Sequence, residues 1–175
     1  RPAVQVTSGG DEELILLGTT SSSDFPTREG AYDRTFDGGP AAEHVIAYSA
    51  GSDIVISRFC RDGTALLAST YFGGSANDGL NPSGGSLARN YGDQLRGDII
   101  TDAAGNVYIS SVTTSPDVFA IPSGFQPLYQ GGETDALLLK IDAELSTVIF
   151  GSYIGGSAAD ASYSIKLDRD GHIFL

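Results

Sequence analysis

The sequence predicts an all-β fold, namely a fragment of a β-propeller with about two and a half four-stranded blades. Three observations lead to this prediction. A unit of 66 residues recurs along the chain, each unit contains four short apolar runs separated by turn residues, and 23 of the 175 residues are glycine. Four short strands in a repeat of this length are typical of one propeller blade. A β-solenoid is the alternative, but its coils usually need only about 20 to 30 residues.

The repeat is visible in three alignments of the chain with itself. Residues 52–79 align with 134–161 at an offset of 82, and residues 101–109 align with 167–175 at an offset of 66. A third alignment, at an offset of 93, places 14–39 over 107–132. The offsets differ by 16 and 11 residues, so one repeat with two insertions explains all three. The segments are a lead-in 1–12, a partial blade 13–79 with an insertion at 40–50, an insertion 80–96, a complete blade 97–160 and the start of a further blade at 161–175.

Each unit is expected to contain two strand pairs. In the complete copy the four runs are GDIIT (97–101), NVYIS (106–110), DALLLKI (135–141) and STVIFGSY (146–153). The last two could form one helix, because Leu138, Ile141 and Leu145 have helical spacing. The aligned segment is rich in β-branched residues and is interrupted by Asp62-Gly63, so both copies are predicted to be strand pairs. An open propeller exposes apolar blade faces, so we expect further blades to complete the ring.

Both copies end in nearly the same phrase, YFGGSANDG at 71–79 and YIGGSAADA at 153–161. Tyr71 and Tyr153 each end an apolar strand, so their rings are expected to close the edge of the sheet. We expect the glycines to adopt positive φ at a sharp exit, and the aspartates to accept backbone N–H hydrogen bonds. The phrase is therefore predicted to be the turn between successive blades, formed by Gly73, Gly74, Asp78, Gly155, Gly156 and Asp160.

A calcium site is the alternative interpretation of this phrase. Asp78 or Asp160 would bind Ca²⁺ together with backbone carbonyls, but each copy offers a single carboxylate. The D-x-x-G turns that begin at Asp102 and Asp168 lack the further carboxylates of a calcium loop and are predicted to be hairpin turns. The sequence predicts no other cofactor.

Four motifs in the expected order resemble the SBBP repeat, a family of bacterial repeats predicted to form seven-bladed β-propellers. These motifs are TYFGGSANDG, DAAGNVYI, TTSSSDFPTREGAY and GGETDALLLKID, and the resemblance covers roughly 13–175. It implies an extracellular or cell-surface protein that acts as a scaffold, most similar to members from the Bacteroidota. The two insertions depart from the family pattern, and Glu144-Leu145 replaces the glycine turn that is usual between the last two strands.

No convincing catalytic set is visible in the sequence. His172 takes the position that Asn106 holds in the other copy, which makes it a turn residue, whereas His44 lies in the 40–50 insertion without a role in the repeat. Two histidines and Cys60 do not make a zinc set. We therefore predict a protein without catalytic activity. A carbohydrate-active propeller enzyme is the alternative, because paired carboxylates in one cleft cannot be recognised from sequence.

Charge and loop composition indicate the kind of partner. The net charge of −12 leaves no basic face for nucleic acid, and no apolar run is long enough to insert into a membrane. We expect contacts with other blades of the same protein, or with another surface protein or glycan. Insertion 80–96 offers a polar and aromatic set, Arg89, Asn90, Tyr91 and Gln94, although it also fits a tolerated insertion without function. The long polar loops 19–39 and 113–132 are the second candidate contact surface.

Overall fold

A computed structural model of the chain describes residues 2–6, 12–43, 46–81, 87, 94–95, 97–118 and 124–175. All regular structure in these residues is β-strand, which confirms the prediction of an all-β fold. Because these residues form no helix, they also contain no apolar helix that could cross a membrane.

Twelve strands make up the described structure. In chain order they are β1 (Pro2–Val6), β2 (Glu12–Thr20), β3 (Ala42–Glu43), β4 (Ala47–Tyr48), β5 (Asp53–Cys60), β6 (Leu66–Phe72), β7 (Asp98–Thr101), β8 (Val107–Thr113), β9 (Asp135–Ile141), β10 (Val148–Ile154), β11 (Lys166–Leu167) and β12 (Ile173–Phe174). The stretch that has helical spacing forms β9 and β10, so its prediction as a strand pair is confirmed.

Two four-stranded antiparallel sheets repeat one strand order. The first sheet has the order β1-β2-β5-β6 and the second has the order β7-β8-β9-β10. In both sheets a long connection separates the second strand from the third, as the aligned loops predict. The strand β1 lies within the segment that the sequence predicts only as a lead-in. It pairs with β2 and completes the first sheet. Neither sheet closes on itself.

The two sheets pack face to face over one apolar core. Ile54 and Ile56 of β5 face Ile109 of β8 and Leu137 and Leu139 of β9, and all five side chains are fully or almost fully buried. Burial of this apolar surface is the main favourable term that holds the sheets together. The first strands of the two sheets, β1 and β7, lie next to each other.

The second sheet is covered on its other face as well. Tyr108 and Leu138 point away from the first sheet and pack against Ile165, near the start of the β11–β12 pair. Leu138 is the repeat equivalent of Ile56, at the offset of 82 residues. The same face of each unit therefore packs against the unit that follows it in the chain.

Candidate functional site: the joint between the two sheets

The repeated phrase connects the first sheet to the second. After β6 the chain runs beside the end of β8, where the Gly79 N–H donates to the Val112 carbonyl at 2.8 Å and the Thr114 N–H donates to the Asn77 carbonyl at 2.9 Å. Asp78 and Thr113 form a β-bridge. We call the contact between 73–79 and 112–117 the inter-sheet joint. The phrase is thus more than a turn, because it is hydrogen-bonded along its length to the next unit.

Asp78 lies fully buried at the centre of the joint. Its carboxylate accepts hydrogen bonds from the hydroxyls of Thr113 and Ser115, the latter at 2.8 Å, and from the Gly74 N–H at 2.8 Å. Burial raises the pKa of Asp78 to about 7, although these hydrogen bonds act in the opposite direction. The Asp78 carboxylate therefore accepts hydrogen bonds from both units.

The second unit also contributes a carboxylate to the joint. The Asp117 Oδ1 accepts hydrogen bonds from the Ser75 N–H at 2.9 Å and from the Ser75 hydroxyl at 3.0 Å. The Ala76 N–H donates to the Ser115 Oγ at 3.0 Å. The joint therefore needs a threonine, a serine and an aspartate at alternate positions of the receiving loop, in the pattern T-x-S-x-D.

A second aspartate explains the glycine at position 73. Asp53 accepts the N–H groups of Asp37 at 2.8 Å and Gly38 at 3.0 Å, and burial raises its pKa to about 6. A Cβ on Gly73 would lie 2.8 Å from the Asp53 Oδ1 and 2.9 Å from the Asp78 Oδ2. The two carboxylates therefore enclose a position that only glycine can occupy.

The prediction that the paired glycines adopt positive φ is wrong. Gly73, Gly74, Gly155 and Gly156 all lie outside the left-handed region. Close approach is the physical reason at three of them, because a Cβ on Gly74 would lie 2.5 Å from the Asp117 Oδ1 and one on Gly155 would clash with the Asp135 carboxylate. At Gly156 nothing in the described residues requires a glycine.

The second copy repeats the hydrogen bonds that hold the phrase to its own sheet. The Asp160 N–H donates to the Thr134 carbonyl at 2.8 Å, and the Thr134 hydroxyl donates to the Asp160 carbonyl at 3.0 Å. Ser52 and Asp78 make the same pair of bonds in the first copy, at 2.8 Å and 3.0 Å. Sequence alignment alone predicted the equivalence of Asp78 and Asp160, but it gave no sign of the partners that hold them.

A calcium site at Asp78 or Asp160 would need free carboxylate oxygens and further ligands close by. Both oxygens of Asp78 already accept hydroxyl or N–H donors, and neither Asp78 nor Asp160 belongs to a group of three potential ligands. Within the described part of the chain, three such side chains come together only at Asp168, Asp170 and His172, in an exposed turn.

The turn at Asp168 is explained by hydrogen bonds within the chain. The His172 Nδ1 lies 2.8 Å from the Asp168 Oδ2, and the Asn106 Nδ2 lies 2.9 Å from the Asp102 Oδ2 in the equivalent turn. The prediction that His172 replaces Asn106 as a turn residue is confirmed. Cys60 ends β5 and begins a turn, since its carbonyl accepts the Gly63 N–H at 2.9 Å, and its Sγ lies 2.9 Å from the Asp62 Oδ1.

Gln94 does not have the role that its position in the insertion predicted. Arg89, Asn90, Tyr91 and His44 lie outside the described residues. Gln94 is buried, its Nε2 donates to the Ile46 carbonyl at 3.1 Å, and its Oε1 accepts the Ile46 N–H at 3.2 Å. Its amide therefore ties insertion 80–96 to insertion 40–50 and is not available to a partner.

A cleft beside the core brings several carboxylates together. Glu13, Glu29 and Glu144 line an open space of about 460 Å³ between the two sheets. Glu13 forms an ion pair with Arg58, whose guanidinium also donates to the Ala143 carbonyl at 2.6 Å. Glu29 and Glu144 are exposed to solvent.

Comparison of the sequence with models of known protein families and with curated proteins finds no match.

Proposed function

We propose that the chain is a scaffold module without catalytic activity, in which each four-stranded sheet is one blade of an extracellular bacterial β-propeller of the SBBP-repeat type. The observation that carries the proposal is the direction of packing. The face of β5 that holds Ile56 covers the second sheet, and the equivalent face of β9, which holds Leu138, covers the β11–β12 pair. Blades of a propeller are stacked in this way around an axis.

Two further features support the blade interpretation. The strands β1 and β7, first in their sheets, are neighbours, which fits first strands that converge near an axis. The inter-sheet joint also fixes one sheet against the next by side chains that recur in the repeat. A scaffold of this kind presents its loops to partners. Two large apolar side chains on loop 113–132 are exposed, Phe125 at 93% and Leu128 at 65%, which favours that loop as the contact surface for a protein or glycan.

The test of the stacked scaffold is a double-mutant cycle across the joint. We expect Asp78→Ala and Ser115→Ala each to lower the free energy of unfolding, and to couple by roughly 1 to 3 kcal/mol, because either change alone leaves a buried group unpaired. The pair Asp160→Ala and Ser115→Ala is the control and should be additive. Chemical denaturation followed by circular dichroism measures all four corners, and a coupling of zero would contradict a joint that holds the sheets together.

The carbohydrate-active alternative has its own test. If the cleft were an active site, Glu29→Gln and Glu144→Gln would abolish hydrolysis of a polysaccharide substrate that the parent chain cleaves. We expect no reducing-end release by the parent chain from a panel of bacterial and plant glycans. Turnover that either substitution removes would replace the scaffold proposal with an enzyme.

A further inference from the structure

The first unit carries a counterpart of the receiving loop of the joint, and none of the described residues fills it with a phrase like 73–79. At the offset of 93 residues, Thr20, Ser22 and Asp24 are equivalent to Thr113, Ser115 and Asp117. In the second unit those three side chains hold the phrase 73–79. We call residues 18–24 the receiving loop of the first unit.

This receiving loop already has the conformation of its occupied counterpart. The Ser22 N–H donates to the Thr20 Oγ1 at 3.1 Å, as the Ser115 N–H donates to the Thr113 Oγ1 at 2.8 Å. The Tyr71 hydroxyl donates to the Ser22 carbonyl at 2.8 Å. The loop is therefore held in place by its own sheet and needs no rearrangement to bind.

The receiving loop of the first unit is more accessible to solvent than its counterpart in the second unit. Thr20 is half-buried and Ser22 is exposed, whereas their equivalents Thr113 and Ser115 are fully buried beneath the phrase 73–79. Asp24 is exposed, as its equivalent Asp117 is in the occupied joint. The border with insertion 40–50 is marked by one long hydrogen bond, from the Ala50 N–H to the Ser21 Oγ at 3.4 Å. The serine hydroxyl is thus buried and hydrogen-bonded in the second unit, whereas its equivalent in the first unit is exposed.

We infer that residues 18–24 bind a Gly-Gly-Ser-Ala-x-Asp segment presented by another repeat unit of this kind. The inference rests on the proposed function, and it names what binds the receiving loop of the first unit. The aspartate of the segment accepts the Thr20 and Ser22 hydroxyls, and the serine of the segment donates to the Asp24 carboxylate. The backbone of the segment runs beside the end of β2, with the N–H that follows its aspartate donating to the Thr19 carbonyl, as the Gly79 N–H does to the Val112 carbonyl.

The probe is a synthetic peptide of the sequence TYFGGSANDGL, which is that of residues 70–80, titrated into the uniformly ¹⁵N-labelled chain. We expect saturable amide shifts centred on Thr20, Ser22 and Asp24, with a dissociation constant in the high micromolar to millimolar range. Ser22→Ala in the chain should weaken binding at least about tenfold, because it removes a charge-assisted hydrogen bond. A peptide whose aspartate is replaced by asparagine should weaken it similarly.

Ser23→Ala is the matched control, since Ser23 is equivalent to Pro116 and has no part in the joint. It should leave the affinity unchanged. Absence of shifts at 18–24 with millimolar peptide, or equal weakening by Ser23→Ala, would overturn the inference. Shifts at 113–117 in place of 18–24 would overturn it too, because the peptide would then be exchanging with the internal phrase.

The outcomes separate this inference from the proposed function. If Asp78 and Ser115 couple in the double-mutant cycle but the peptide does not bind, the stacked scaffold stands and the receiving loop of the first unit has no such partner. If the amides at 18–24 shift with chain concentration alone, and Asp160→Ala abolishes that shift, the occupant is a second copy of the chain and the assignment to a separate repeat unit is wrong.

Discussion

At the scale of single residues, two buried carboxylates lie at the inter-sheet joint and beside it. Asp53 and Asp78 lie on either side of Gly73, and the donors that the described residues offer them are N–H and hydroxyl groups. Both side chains are almost fully buried, so ionisation of either group is disfavoured. Each carboxylate oxygen has a defined donor, which makes the geometry of this region specific. The cost is an electrostatic penalty at neutral pH, because the buried carboxylates are then ionised.

This penalty predicts the direction of the pH dependence of stability. The folded-state pKa values of about 7 for Asp78 and about 6 for Asp53 lie above the unfolded value of 3.8. Between these limits the folded state therefore binds more protons at Asp53 and Asp78 than the unfolded state does. The contribution of these two groups to stability is greatest at low pH and is lost as pH rises towards 7. Asp78 alone contributes a loss of roughly 2 to 3 kcal/mol between pH 5 and pH 8. Urea denaturation at several pH values measures this slope.

The substitution Asp78→Asn isolates the contribution of that group. The variant cannot ionise at this position, so its stability should fall much less between pH 5 and pH 8 than that of the parent chain. A variant that keeps the full slope would show that Asp78 is not the titrating group, and the slope would then belong to Asp53 or another carboxyl.

A backbone position shows how burial can outweigh a conformational cost. Leu145 has φ of 55°, and its repeat equivalent Gly63 has φ of 71°. A left-handed residue with a side chain costs roughly 1 to 2 kcal/mol. The Leu145 side chain is fully buried in the shared core, and its carbonyl accepts the Tyr32 N–H from the first unit at 2.8 Å. The absence of a glycine here, which departs from the resembled family, thus has a packing reason.

At the scale of structural elements, one tyrosine per sheet fixes each long loop. The Tyr71 hydroxyl accepts the Phe25 N–H at 2.9 Å, and the Tyr153 hydroxyl accepts the Val118 N–H at 3.0 Å and donates to the Ser115 carbonyl at 3.1 Å. Both rings are almost fully buried, as expected for residues that end an apolar strand. The loops are therefore attached to the last strands of their own sheets, and are not free connections.

Removing these hydroxyls should loosen the loops to different extents. Tyr153→Phe leaves the buried Val118 N–H unpaired and should cost roughly 2 to 3 kcal/mol. Tyr71→Phe should cost about 1 kcal/mol, because water reaches the half-buried Phe25 segment and replaces part of the bond. Amide hydrogen exchange at Val118 and Phe25, with denaturation for the global change, measures both effects. Tyr32→Phe is the control and should be close to neutral; equal effects in all three variants would contradict a specific role of the two hydroxyls.

The elements that recur in the repeat are those that could be predicted from the sequence. The strands β5, β6, β8, β9 and β10 were predictable, because alignment of two copies removed the ambiguity between helix and strand. Strand β1 was not, since its equivalent β7 follows an insertion and the alignments do not reach residues 2–6. The packing of the glycines and the role of Gln94 depend on contacts between segments far apart in sequence, which no local pattern encodes.

At the scale of the whole molecule, the units stack in one direction with unlike faces in contact. On the first sheet, Leu14, Leu16 and Phe59 share the face that points away from the second sheet, and they are half-buried. Phe59 is equivalent to Ile141, which on the second sheet contributes to the core shared with the first. We therefore expect this face of the first sheet to be able to pack against a preceding unit of the same repeat.

Because one core joins both sheets, we expect them to unfold together. Ile56→Ala, in the first sheet, removes a fully buried side chain and should lower the free energy of unfolding by about 2 to 5 kcal/mol. Protection of amides in β8 and β9 should fall by the same amount as protection in β5, since loss of one sheet exposes the core of the other. Ile149→Ala, at a position that is 46% exposed, is the control and should change neither sheet by more than about 0.5 kcal/mol. Native-state hydrogen exchange followed by mass spectrometry distinguishes the two cases. If Ile56→Ala lowers protection in the first sheet only, the sheets are separate cooperative units, and their shared core contributes to contact between them without making their folding interdependent.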